Sequence, residues 1–401
     1  MSGARRAGRS SSAAVWQAGF LVGAALGAAA TVLGRRAEAE ARTGLVDWSA
    51  VERLAEGRLR NAAGRLSPAE VAATVPAYEA AMRRVVPALE RALETPLPGI
   101  VERVAVVDRA GWVRANLATF AGLFGRLEGE LLDQIVPPGA GLGKASLALA
   151  NRWITTRQFG LLLGFMGQRV LGQYDLALLS AKAEPGQLLF VEENIRQTAK
   201  TLDVPIGPFR TWIALHEATH AFEFEAHPWL RPYLASRLEA QLSAFSRNAS
   251  GAGRDALRGL AGSLRGGGGN WIERMMPEES RRAFRETQAV MSLLEGFSDH
   301  VMDEVGRSIV PEHATISGRF HQRRARKSGL ERAILRITGL EMKMEQYRRG
   351  EAFVAAIAAV AGQEGVQRLW DGPESMPRDG EIEDPTRWMR RVLGVAPGAA
   401  A

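Results

Sequence analysis

Along most of this chain the apolar positions recur at three- and four-residue spacing, the period of helices that bury one side. Trp48 to Leu59 carries that spacing and predicts an amphipathic helix. Ser67-Pro68-Ala69-Glu70 has the form of an N-cap with proline at the first helical position. It predicts helices running to about Val86 and then to about Leu93. Val104 to Val107 is a short apolar run that ends in Asp108-Arg109-Ala110-Gly111, which predicts a strand leading into a turn. Trp112 to Ile135 is helical in period and closes at Pro137-Pro138-Gly139. Ala145 to Leu171 is apolar all round, which predicts a buried core helix rather than a membrane span.

The second half continues the pattern. Gly186 to Ile195 (GQLLFVEENI) is the strongest strand signal, an apolar run bounded by Pro185-Gly186. A connecting helix from Arg196 to Leu202 precedes a helix from about Pro208 to Phe224. Further helices are predicted after Trp229, from Pro277 to about Val305, over Gly329–Tyr347, over Gly350–Gly362, and in a short last segment near Trp388. The fold class is mainly α (α+β): many helices around a small sheet, plus an apolar N-terminal helix. The chain divides into a basic tail (1–12), an apolar helix (13–34), a helical N-terminal subdomain (46–185), a second subdomain (186–392) and a disordered tail (393–401). No internal repeat is visible.

The N-terminus changes the picture. Ala13 to Leu33 is a run of 21 residues without a charge, just long enough to cross a bilayer. Gly19, Gly23 and Gly27 fall on one helix face, a pattern suited to close packing between membrane helices. The expectation is membrane association through residues 13–33. A cleaved signal peptide and a soluble helix in a cytoplasmic protein are the alternatives. Arginines flank both ends of the run, so the sidedness stays open. The net charge of +7 comes from arginines spread along the chain, which does not point to nucleic acid. His321 to Lys327 is the densest basic run and predicts a solvated helix face. There are no cysteines, so any bound metal must be held by His, Asp or Glu.

The chemistry concentrates in Leu215-His216-Glu217-Ala218-Thr219-His220-Ala221-Phe222. Positions i and i+4 share a helix face, so His216 and His220 can aim their imidazoles at one point, as zinc requires. Glu217, one residue round the helix, can reach a water activated by that ion and act as a general base. His227, at the end of the helix, is expected to be a C-terminal histidine rather than a ligand. Later in the chain, Leu294-Glu295-Gly296-Phe297-Ser298-Asp299-His300 sets two carboxylates one turn apart in an apolar neighbourhood. An inward carboxylate needs compensation, and zinc supplies it. Glu295 is the expected third ligand, with an ion pair to arginine as the alternative for it. Asp299 is expected to accept a hydrogen bond from a ligand histidine; Asp299 and His300 are the other candidates for third ligand. Tyr347, His300 and His321 are the candidate donors to a developing oxyanion.

With these runs in view the chain resembles the zincin-like metallopeptidase type 2 family, often labelled as associated with biosynthesis of the deazaflavin coenzyme. The resemblance covers roughly Val46 to Val392. It rests on Val107-Asp108-Arg109 with Trp112 and Asn116, Leu171-Gly172-Gln173-Tyr174-Asp175, HEATHAFEF with Pro228-Trp229-Leu230, Leu294-Glu295-Gly296, and Gln346-Tyr347 with Gly350-Glu351-Ala352-Phe353. It implies a zinc-dependent hydrolase whose ligands map onto His216 and His220, with Glu217 as base. Glu295 followed by Asp299 is similar to the arrangement of thermolysin-like gluzincins. The gap from His220 to Glu295 is long for that group, and the N-terminal apolar segment is not part of the family's core.

The function expected is that of a zinc metallopeptidase acting on a peptide or protein. The alternatives are a zinc-stabilised, membrane-tethered scaffold without turnover, and a membrane-surface or nucleic-acid binder driven by the basic surplus.

Overall fold

The computed structural model describes residues 32–97, 99–139, 141–174, 186–240, 278–325 and 340–395. The basic tail, the uncharged run up to residue 31, the glycine-rich 265–270 stretch and the end of the chain from residue 396 lie outside the described residues. Helix α1 covers residues 32–41. Helix α2 (Trp48–Leu59) starts at Asp47, whose side chain accepts from the Ala50 N–H. A short α3 (Pro68–Ala72) carries a full capping box: Ser67 and Glu70 each accept from the other's backbone N–H. One helix, α4 (Val75–Leu93), then covers what the sequence divides near Val86.

Among the described residues three strands form the sheet, in the order β1 (Val104–Val107), β3 (Leu188–Val191), β2 (Gly172–Tyr174). β1 runs parallel to β3, and β2 antiparallel to it with Gly172 opposite Phe190. The strongest strand signal therefore marks the central strand, and it is shorter than its apolar run. Glu192 already opens helix α7 (Glu192–Leu202). The expected turn after β1 is instead a helix start: Asp108 caps α5 (Arg109–Ile135) by accepting from the Gly111 N–H at 2.6 Å.

Two main apolar cores flank the sheet, and Ala41, Val136 and Ala148 form a third, small cluster. The smaller of the two main cores packs α2, α5 and α6 (Gly141–Gly167) around Val51, Ala55, Leu59, Trp112, Val113 and Leu163. The buried-core expectation for α6 holds for one side only. Leu142, Leu147, Trp153, Ile154 and Leu161 are exposed, because α6 meets α2 through glycines. Gly164 is so close that a Cβ there would stand 3.3 Å from the backbone of Ala55.

The larger core joins α4 to α8 (Ile206–Glu225), α9 (residues 230–240), α10 (Glu278–Ile309), α11 (His313–Ala325), α12 (Leu340–Gln367) and α13 (Pro385–Val392). α12 runs through Gly350 without a break and bends at Gly362, whose φ of 64° is one that glycine adopts freely. α10 and α12 cross with their backbones in contact. A Cβ on Gly296 would lie 2.0 Å from the Gly350 carbonyl carbon, and one on Gly350 would lie 1.8 Å from the Ser292 oxygen. Only two glycines permit this crossing, which sets the position of Glu295, the neighbour of Gly296.

Among the described residues, no helix is long and apolar enough to cross a membrane.

Candidate metal centre

Helix α8 is held at both ends before any ligand is considered. Near its start, Arg210 binds the fully buried Glu192, which also accepts from the Tyr78 hydroxyl at 2.6 Å and from Arg196. Burial works against that carboxylate, yet the arginines and the tyrosine bring it below its ordinary pKa. At the other end Arg103 grips Glu225 with two bonds of 2.6 and 2.7 Å, and the Tyr174 hydroxyl donates to Glu225 at 2.8 Å. Burial and this carboxylate push Tyr174 up to about 12. A chain of side-chain amides seats β2 on α5: Trp112 Nε1 donates to Gln173, and Gln173 Nε2 donates to Asn116.

These anchors bring β2 against the motif. A Cβ built on Gly172 would lie 2.6 Å from Glu217 Oε1, so only glycine leaves room for that carboxylate. Glu217 itself is buried. The strand beside the helix is thus β2, an edge strand of the described sheet.

The structure brings His216, His220 and Glu295 together: one ligand atom from each lies within 4.8 Å of the others. Their side chains are 17 %, 17 % and 13 % exposed, so the point they share is reachable. The two Nε2 atoms stand 3.3 Å apart, and Glu295 Oε2 lies 3.9 and 3.8 Å from them. Two donors each about 2.0–2.1 Å from a tetrahedral ion lie roughly 3.3 Å apart, which the imidazole pair matches.

The partners of the outer nitrogens suit a hydrogen on each Nδ1. His216 Nδ1 is 3.2 Å from Met302 Sδ, an acceptor only, so the hydrogen sits on Nδ1. His220 Nδ1 is 2.8 Å from Glu223 Oε2, with Ser298 Oγ at 3.3 Å. Once His220 gives up its second proton, both Nε2 lone pairs face one point, an arrangement that one cation satisfies. The surrounding charge agrees. Burial works against a charged His220, but the carboxylates of Glu223, Glu295 and Glu217 outweigh it and raise it to about 10. Burial also pushes Glu223 up to about 7. Among the described residues, the Oε1 of Glu223 is buried without a partner. Two imidazoles among three carboxylates form a pocket built for positive charge.

Other expected residues stand elsewhere. His220 Nδ1 meets Glu223. Asp299 groups instead with His321 and Glu351, from α11 and α12, again within 4.8 Å. His321 is exposed, with Ser317 Oγ 3.3 Å from its Nδ1. His300 faces Glu304 one turn along α10, at 3.6 Å. The Tyr347 side chain lies outside the described residues. His227 is away from the ligands, stacked on Trp370 with ring centres 4.8 Å apart, and burial lowers it to about 4. Sequence reading missed Glu223, Gly172 and Met302. A signal existed for the first, since residues three apart on a helix meet.

A family model described as zincin-like metallopeptidase matches residues 46–389. The chain is also similar to a crystal structure described as a candidate hydrolase with a novel fold from Chloroflexus aurantiacus. The two share 32% identity with a TM-score of 0.63, over 88% of this chain and 100% of that one. A search of curated proteins returns no match. The family implies a metal, typically zinc, and the cluster of His216, His220 and Glu295 offers the donors for one. The chain belongs to the zincin-like metallopeptidase family.

Proposed function

We propose that this protein is a zinc-dependent hydrolase acting on peptide bonds, with His216, His220 and Glu295 as ligands and Glu217 as general base. The observation that carries the reading is the pair of Nε2 atoms 3.3 Å apart, both aimed at the site reached by Glu295. A divalent ion bound there supplies Lewis acidity, lowering the pKa of a water and polarising a carbonyl.

The chain's own residues do the rest. Glu217, pressed against the Gly172 backbone, accepts the proton of the attacking water and returns it to the leaving amine. Its fixed position lowers the cost of orienting it. Glu223 holds His220 in the tautomer that keeps Nε2 free and balances the charge beyond it. β2 is the strand next to the base, and an extended peptide laid along such an edge would present its carbonyl carbon to the water that Glu217 deprotonates.

The test compares the wild type with Glu217→Gln. Zinc content of the purified protein is expected to be unchanged. Cleavage of a peptide library is expected to fall by a factor on the order of 10²–10⁴. Equal turnover in the two proteins would remove Glu217 from the mechanism. A metal-loaded wild type that cleaves nothing would favour the scaffold alternative.

A further inference from the structure

Helix α6 is built inside out for a helix in water. The residues it turns to the neighbouring helices are mostly small: Ala145, Ala148, Gly160, Gly164 and Gly167 are buried, Ala148 against Ala41 of α1. The residues it turns outward are large and apolar: Leu147 is 64% exposed, Trp153 58% and Leu161 58%. Leu142 and Ile154 are exposed beside them. At about 100° per residue these five positions fall within roughly 140° of arc, so they form one stripe along the helix. Small residues toward the neighbouring helix and large ones away from it is the distribution of helices whose outer face meets lipid.

Charge and continuity name the occupant. Gly141–Gly167 contains Lys144, Arg152 and Arg157 and no Asp or Glu. The Arg157 guanidinium lies over the Trp153 ring at 4.2 Å, which places a cation and an indole side by side as at a headgroup boundary. The stripe continues onto α1. A Cβ on Gly34 would lie 3.7 Å from the Leu142 backbone, and the neighbouring Val32 and Leu33 are exposed. The chain that enters α1 there has carried no charge since Ala13. A second copy of the chain fits less well, because a two-fold contact would oppose the same cations.

We propose that the outward face of α6, with the start of α1, lies on a lipid bilayer that carries anionic headgroups. The helix rests along the surface and does not cross it, in keeping with the absence of a membrane-crossing helix among the described residues. The proposal does not depend on the metal centre.

The full chain has no cysteine, so one introduced cysteine carries a dye at a single known place. Leu147→Cys is labelled with an environment-sensitive fluorophore and mixed with phosphatidylglycerol/phosphatidylcholine vesicles whose acyl chains are brominated. Glu364→Cys, at an exposed position of α12, is the control. Emission at 147 is expected to shift to the blue and to be quenched at least about threefold, with that at 364 unchanged. Vesicle-bound protein whose 147 dye is not quenched would overturn the proposal, since the N-terminal run alone would then account for binding. Failure to bind vesicles would overturn it too. So would a dye at 147 that is already shielded without vesicles, which would mean that the protein itself covers the face.

Discussion

Helices α6 and α8 are alike in sequence and opposite in fate. Both are long, apolar all round and without a clear polar side. α8 is enclosed by α4, α7, α10 and β2, and its buried polar groups are spent on anchoring and on the ligand cluster. α6 is covered on one side by α2 and α5 and leaves a stripe of leucine, isoleucine and tryptophan exposed. An all-round apolar helix asks for cover on every side, and the pattern does not say what provides it. For α8 the cover is protein, so its imidazoles and carboxylates are held at fixed distances in a low dielectric. For α6 part of the cover comes from outside the described fold.

The comparison breaks most visibly if the cover of α8 is pushed apart. Gly296→Ala drives a methyl into the Gly350 backbone, and is expected to cost about 3 kcal/mol or more. Thermal unfolding measures it, and zinc content should fall with it, because Glu295 sits beside the crossing. A variant as stable and as metal-loaded as the wild type would show that α10 and α12 do not need that contact.

A smaller change sharpens the polar side of the contrast. Glu223→Gln keeps the shape but removes the charge behind His220. Zinc affinity is expected to drop by about 10–100-fold with the fold intact, as read by competition with a chromogenic chelator. The pH dependence should flatten as well. With His220 raised to about 10, the metal-free imidazole is protonated over the whole neutral range, and zinc must displace that proton. Affinity therefore rises with pH in the wild type. Without the Glu223 charge the proton is held less tightly, so the slope weakens. An unchanged affinity and slope would leave Glu223 a packing residue.

The smallest effect belongs to α6. Leu161→Ala on the exposed stripe is expected to alter stability by no more than about 0.5 kcal/mol in the absence of lipid. A large loss in chemical denaturation would mean that the stripe is covered by protein.

Much of the fold was legible because it is local. The cap at Ser67, the β1 run and the long helices follow from propensity and spacing over a few residues. The turn expected at Asp108 is a cap, since a polar residue can serve either way, and β3 is shorter than its apolar run because α7 opens at Glu192. In the site, the helical placement of His216 and His220 could be read directly, since four residues on a helix return to the same face. Glu223 was equally local and was passed over beside a more familiar arrangement in Asp299.

The sequence alone determined which segments form the long helices and which histidines share a face, because bonded geometry carries these over a single turn, and its lack of cysteine excluded a thiolate ligand. Only the tertiary structure decided that Glu295 arrives opposite the imidazoles, that Asp299 turns toward His321 and Glu351, and that α6 shows its large side chains outward. Distances between helices are set by which surfaces interlock, here a pair of glycines that let α10 and α12 touch. That information is spread over residues far apart in the chain and has no local period to read.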